Sequence, residues 1–110
     1  MRKLFLILSL FLLVAVLGIN ASLAQSKLDA SILSYNGKDF VRTETTLMKD
    51  GQPAVNTKLD PNSAAYKALV EKKSYTGPAT VFGRDYQANY APLMGEDGKL
   101  TGALFMGVTK

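Results

Sequence analysis

The stretch FGRDYQANYAPLMGEDGKLTGALFMGV, residues 82–108, carries the pattern that decides the fold. Two strand-like runs, 86–93 and 99–109, flank a glycine-containing turn at 95–98, and another strand-like run at 79–82 precedes them. Glycine tolerates the positive φ angles that tight turns between antiparallel strands need. This succession predicts a meander of three antiparallel strands at the C-terminal end of the chain.

Two further strands and one helix are predicted before the meander. Residues 31–35 and 39–48 read as strands. Asp60 and Pro61 are typical of a helix start, because aspartate caps free N–H groups and proline needs no donor at the first helical position. Apolar side chains then form one stripe of a helix at 61–72. The order of elements predicts an α+β domain, with a single antiparallel sheet of about five strands and one main amphipathic helix.

Alternation assigns side chains to the two faces of each predicted strand. In the strand at 39–48, Phe40 and Arg42 share one face and a β-branched set forms the other. We expect the β-branched set to face the core. In the last strand, Phe105 lies opposite the face shared by Leu104 and Val108. The mainly β-branched set of the strand at 39–48, which we expect to face the core, consists of Val41, Thr43, Thr45 and Leu47.

The start of the chain is typical of an export signal rather than of a fold. A basic beginning and an apolar run at 4–19 precede small residues at 22–24, so residues 1–24 are predicted to be a signal peptide. An uncleaved membrane anchor is the alternative, although this apolar run is short for a hydrocarbon core. Either way the sequence predicts a periplasmic or secreted domain, membrane-anchored if the segment is retained, with a short lead-in at 25–33.

The composition excludes several classes of function. The chain has 110 residues with no Cys and no His, so it cannot form a Ser-His-Asp triad, a zinc site of the usual N/S type or a covalent haem attachment. We therefore predict no enzyme, no metal site and no cofactor. The formal charge of +4 falls to +2 without Arg2 and Lys3, and the remaining cations are scattered, which argues against a nucleic-acid partner.

An ordered set of short motifs from residue 34 to residue 110 resembles the single Cache domain. That family comes from bacterial chemoreceptors and sensor kinases and is PAS-like and extracytoplasmic. The resemblance implies a sensory module whose pocket, between sheet and helix, takes a small molecule such as a small carboxylate or related metabolite. The motifs include Phe40-Val41-Arg42-Thr43, Lys49-Asp50-Gly51, Thr57-Lys58-Leu59-Asp60, Tyr75-Thr76-Gly77, Phe82-Gly83-Arg84-Asp85-Tyr86, Tyr90-Ala91-Pro92 and Gly102-Ala103-Leu104-Phe105-Met106-Gly107-Val108.

A pocket for a small anion needs a cation and hydroxyl donors on an apolar lining, because arginine meets a carboxylate with two parallel N–H bonds. Each candidate also has an ordinary alternative. Tyrosines often fill a core, Arg84 can be a solvated turn residue, and Lys58 can form a surface pair with Asp60. The candidate binding residues are Arg42, Arg84, Tyr86, Tyr90, Tyr75, Tyr66 and Lys58.

The expected partners follow from departures from the family pattern. Such domains usually begin with a long N-terminal helix, whereas here only a short lead-in precedes the first predicted strand. We therefore expect one sheet face, bearing Phe40 and Phe105, to be uncovered and to support a homodimer or docking on a membrane receptor or kinase. The alternative function is an extracytoplasmic structural or protein-interaction module on the same scaffold without a ligand.

Overall fold

The computed structural model describes residues 27–110, in which five long strands form one antiparallel sheet. The order across the sheet is β2-β1-β7-β6-β5, so the first strand pairs with the last at its centre. The predicted signal peptide lies outside the described residues. The elements are β1 (Leu28–Tyr35), β2 (Phe40–Thr45), β3 (Met48–Lys49), β4 (Gln52–Pro53), α1 (Ala64–Val70), β5 (Tyr75–Val81), β6 (Arg84–Met94) and β7 (Leu100–Thr109).

This architecture confirms the predicted α+β domain with one antiparallel sheet and one helix. Strand β1 begins at Leu28, inside the predicted lead-in, because pairing with β7 continues to Val108. The helix is shorter than predicted. Its N-cap is Ser63, whose Oγ accepts a hydrogen bond from the Tyr66 backbone N–H at 3.1 Å, whereas Asp60 accepts one from Asn62 in the turn before it. Within residues 27–110, no helix is long and apolar enough to span a membrane.

The predicted facing of β2 is wrong for its first half. Phe40 and Arg42 point into the core, where Arg42 is only 3% exposed. The reason is a register shift between Ile32 and Leu33 of β1, which pair with Glu44 and Arg42 and leave Thr43 as an extra residue. Such a bulge reverses the alternation. Beyond it, Thr45 faces Ser31 and Leu47 is buried, as predicted.

The sheet has a covered inner face and an open outer face. Helix α1 and the segment before it cover the inner face, which carries the aromatic core, whereas the β3–β4 hairpin is exposed. Phe105 lies on this covered face, in contact with the rings of Tyr86 and Tyr90 at centroid distances of 5.8 Å and 4.9 Å. The expectation that Phe40 and Phe105 mark the uncovered face is therefore wrong. The buried apolar core comprises Leu33, Phe40, Leu47, Ala54, Leu59, Ala65, Leu69, Val81, Tyr86, Ala88, Tyr90, Ala103 and Phe105.

Gly102 lies where β7 runs closest to its neighbour β1. It pairs with Ser34 on one side and Leu93 on the other. A Cβ atom at this position would collide with the carbonyl oxygen of Leu33, which belongs to the backbone of a central strand and cannot rotate away. The central pairing of the sheet therefore needs glycine here.

We expect Gly102→Ala to lower the free energy of unfolding by about 3 kcal/mol, because the strands must separate to admit one methyl group. Urea denaturation followed by circular dichroism measures the change. Gly95→Ala is the matched control, since its Cβ would meet only the flexible side chains of Asp97 and Thr101 and the carbonyl oxygen of Lys99 at the edge of contact. Equal stability of the two variants would contradict this account of Gly102.

Candidate functional site

A cavity of about 320 Å³ lies between the inner face of the sheet and the segment that leads into α1. It is small for a ligand pocket, at the lower end of the usual range. Strand β2 supplies its floor, and β5 with the following turn supplies one wall. The lining residues are Arg42, Lys58, Leu59, Asp60, Ser63, Ala64, Ala65, Tyr75, Pro78, Ala79, Thr80, Val81, Phe82 and Tyr90.

Arg42 is held in the floor by a chain segment that runs beside β2. Its backbone N–H donates to the Thr57 carbonyl and its own carbonyl accepts from the Asn56 N–H, both at 2.8 Å. The guanidinium Nη1 donates to Thr57 Oγ1 at 3.1 Å and to the Lys58 carbonyl at 3.2 Å. These contacts fix one end of the guanidinium by neutral oxygens alone.

The other edge of the guanidinium remains open. Within residues 27–110, Nε and Nη2 of Arg42 have no polar neighbour other than the Tyr90 hydroxyl, and no carboxylate lies within 4.0 Å of the group. Arg42 lines the cavity, so this part of the guanidinium faces a space that holds no protein anion within residues 27–110. Arg42 therefore presents a two-pronged donor edge to the space beside it.

Burial sets the ionisation of both polar groups at this floor. Desolvation lowers the pKa of Arg42, and nearby Tyr90 acts in the opposite direction. Desolvation also raises the pKa of Tyr90, against the effect of the Arg42 charge. A buried cation that lacks an anion within the described chain costs free energy, which an anionic ligand would offset. The Tyr90 hydroxyl lies beside the Arg42 guanidinium and lines the same cavity, so both groups can face one ligand.

Phe82 closes the mouth of the cavity and was not among the predicted site residues. Its ring centroid lies 5.1 Å from Cζ of Arg42 and 5.7 Å from Nζ of Lys49, so two cations share one aromatic ring. Its φ of 49° lies in the left-handed region, which is unusual for a bulky residue. The sequence signal was an apolar residue directly before Gly83 in a turn. Because the ring covers one face of the guanidinium, a ligand reaches Arg42 through the open edge.

The structure brings four of the seven predicted residues together at this cavity: Arg42, Lys58, Tyr75 and Tyr90. Lys58 pairs with Asp39 at 3.4 Å rather than with Asp60. The Tyr75 hydroxyl donates to the Pro78 carbonyl at 2.6 Å, which holds its ring against the wall.

The other three predicted residues do not line the cavity. Tyr66 packs edge-on against Phe40 and donates its hydroxyl to the Lys38 carbonyl, so it is a packing residue. Arg84 is exposed at the start of β6. Tyr86 donates its hydroxyl to a different buried group, Asp29, and does not line the cavity.

Asp29 forms a second buried polar centre that the sequence reasoning missed. Its two carboxylate oxygens accept hydrogen bonds from Thr46 Oγ1 and from the Tyr86 hydroxyl, both at 2.7 Å. The contacts join β1, β6 and the loop after β2. Burial, and next the hydrogen bond to Asp29, raises the pKa of Tyr86 to about 12. The protonated hydroxyl is thus part of the fold.

We expect Tyr86→Phe to lower the free energy of unfolding at neutral pH by about 1–3 kcal/mol, because Asp29 loses a donor. The pKa of Tyr86 is higher in the folded chain than its ordinary value, so the stabilisation is complete below pH 10 and falls as pH rises to about 12. The gap between wild type and variant should narrow over that window in urea denaturation. Thr46→Val removes the other donor to Asp29 but keeps Tyr86, so its free energy of unfolding should still fall as pH rises over that window. An equal fall in the free energy of unfolding of Tyr86→Phe over the same window would refute the assignment of this pH dependence to Tyr86.

We expect Arg42→Met to raise the free energy of unfolding of the ligand-free domain by about 1 kcal/mol, since a desolvated charge is replaced by an apolar side chain of similar length. Arg84→Met makes the same exchange on an exposed side chain and should change stability by less than about 0.5 kcal/mol. Thermal and urea unfolding of both variants provide the comparison. Destabilisation by Arg42→Met would show that its bonds to Thr57 and Lys58 outweigh the desolvation cost.

The comparisons with known proteins agree with the fold. Neither a curated protein nor a solved structure matches the chain. The model of the Cache 3/Cache 2 fusion domain matches residues 26–110, which include every described strand and the helix. Domains of this kind are generally extracellular sensors of small molecules. The resemblance to a Cache domain is confirmed, and the chain belongs to the Cache 3/Cache 2 fusion domain family.

Proposed function

We propose that this domain is an extracytoplasmic sensory module that binds a small carboxylate in the cavity above Arg42. The observation that carries the proposal is the open Nε and Nη2 edge of a guanidinium that is 3% exposed and has no carboxylate partner within residues 27–110. A carboxylate matches that edge with two parallel hydrogen bonds and supplies the missing negative charge.

The walls of the cavity favour a carboxylate with a short apolar body. Leu59, Ala79 and Val81 line it beside the Phe82 ring. The volume of about 320 Å³ holds about ten groups of water size, because one water occupies about 30 Å³ in the liquid. Short organic acids and small amino acids fit this space.

Other polar groups that line the cavity offer a second set of contacts. The Tyr90 hydroxyl near Arg42 can donate to a carboxylate oxygen, and its raised pKa keeps it protonated. Lys58 and Asp60 line the rim with charges of opposite sign. These rim groups provide discrimination between acids that share the carboxylate but differ at the other end.

The proposed role is binding and signalling rather than catalysis. Cache domains are generally sensory modules. We propose export by the N-terminal segment, so that the cavity meets ligand in the periplasm or medium. A membrane receptor or kinase is the proposed recipient of the signal.

The test is a thermal-shift screen, followed by titration calorimetry, on protein that is produced from the full sequence and recovered from the cell envelope. The panel contains acetate, propionate, pyruvate, succinate, malate and small amino acids. At about 100 times its dissociation constant, a ligand stabilises the fold by about 2.7 kcal/mol, which a domain of this size reports clearly. A flat screen would favour the alternative of a structural or protein-interaction module without a ligand.

We expect Arg42→Met to weaken binding of the active acid by at least about 30-fold, because truncating one partner of a buried charge pair costs about 2 kcal/mol or more. Arg42→Lys should also lose affinity, since lysine keeps the charge but lacks the two-pronged edge. Arg84→Met removes the same charge outside the cavity, so its dissociation constant for the acid should lie within about twofold of the wild-type value. Unchanged affinity in Arg42→Met, or an equal loss in Arg84→Met, would place the site elsewhere.

A further inference from the structure

The outer face of the sheet carries an apolar stripe across its two central strands. Leu28, Ile32, Leu104 and Val108 are each between 37% and 40% exposed, which is high for large apolar side chains in the middle of a sheet. The stripe consists of Leu28, Ala30, Ile32, Leu104, Met106 and Val108. It lies opposite the face that holds the cavity.

The strand register makes this stripe continuous. Leu28 pairs with Val108, and Ile32 pairs with Leu104, while Ala30 and Met106 pair between them. Paired residues on one face of antiparallel strands have neighbouring Cβ atoms, so their side chains touch. A contiguous apolar patch of this kind, unlike scattered apolar residues, marks an interaction surface.

The surface around the stripe lacks charge. The outward side chains of β1 from Leu28 to Ser34, of β6 from Gln87 to Leu93 and of β7 from Leu104 to Val108 include no charged residue, in a chain that is 20% charged. Glu44 and Asp85 stand at the margins, on the edge strand β2 and at the start of β6. We therefore expect the partner surface to be uncharged as well, rather than charged.

We propose that a second copy of this chain covers the outer face in a two-fold symmetric dimer. Besides the stripe, the face has a groove of about 300 Å³ that includes the polar side chains of Thr76, Gln87 and Asn89. Ile32 and Leu104 lie outside the groove and protrude beside it. A two-fold axis places these two side chains of each copy into the groove of the other. The polar side chains in the groove favour a protein partner over a lipid surface, because hydrocarbon offers them no hydrogen bonds.

The dimensions of the face suit a stable dimer. Five strands at about 4.8 Å spacing span about 24 Å, and a ten-residue strand such as β7 spans about 33 Å. The product is about 800 Å² for each copy, which is the area that each partner of a standard interface buries. The inner cavity stays accessible in such a dimer because it opens on the opposite side of the sheet.

Analytical ultracentrifugation of the exported protein tests the proposal, with the N-terminus identified by mass spectrometry. We expect the dimer to predominate above about 1 μM, because interfaces of this size have dissociation constants of about 1 μM or tighter. Leu104→Lys should be monomeric throughout and retain its circular dichroism spectrum. Val55→Lys, which alters a similarly exposed apolar residue off the sheet, should remain dimeric. A monomer in wild type, or a dimer that persists in Leu104→Lys, would overturn the proposal.

A labelling experiment distinguishes burial of the outer face by a second copy from burial by another segment of the same chain. The protein has no cysteine, so Leu104→Cys introduces a single thiol for maleimide. The rate of labelling should fall by about tenfold as the protein concentration rises. When nine-tenths of the chains are dimeric, about one-tenth expose the thiol at any time, as mass action requires. Val55→Cys should label equally at every concentration. Protection of Leu104→Cys that does not depend on concentration would mean that the chain covers its own face and would refute the dimer.

Discussion

The register shift between β1 and β2 is the constraint on which the site and much of the core depend. One extra residue, Thr43, lets Phe40 and Arg42 point inward before it and Thr45 and Leu47 point inward after it. A regular strand would send one of these two groups to the outer face. Bulges commonly stand beside binding sites, where they re-aim a side chain. Here the bulge puts a cation under the cavity without removing Leu47 from the core.

Two buried polar centres on the inner face differ in how completely they are satisfied. Asp29 has a hydroxyl donor on each carboxylate oxygen, so it joins three parts of the fold. Arg42 has neutral oxygens on Nη1 and the Tyr90 hydroxyl nearby, but no carboxylate partner within residues 27–110, and it lines the cavity. A satisfied buried group supports one structure, whereas an open donor edge keeps a desolvation cost that an anion can remove. This difference distinguishes a structural centre from a binding centre.

The sequence predicted the sheet, the helix and the Cache family because those depend on local pattern and on short motifs. It also predicted Arg42, Lys58, Tyr75 and Tyr90 as site residues, and the structure gathers these four at one cavity. Arg84 and Tyr86 were grouped with them because they neighbour each other along the chain. Arg84 is exposed to solvent, whereas the Tyr86 hydroxyl donates to the buried Asp29 instead of facing the cavity. Phe82 went unnoticed because its contact with Arg42 joins distant segments.

The amino-acid sequence by itself determined the element types, the turns and the absence of thiol and imidazole chemistry, since each is a property of single residues or short windows. Tertiary structure decided which face of each strand is buried. That choice depends on the register between β1 and β2, and a one-residue shift moves side chains between core and solvent without any change in local composition. This shift accounts for Phe40 on the inner face, and the pairing of β7 with β1 and β6 puts Leu104 on the outer face and Phe105 on the inner face.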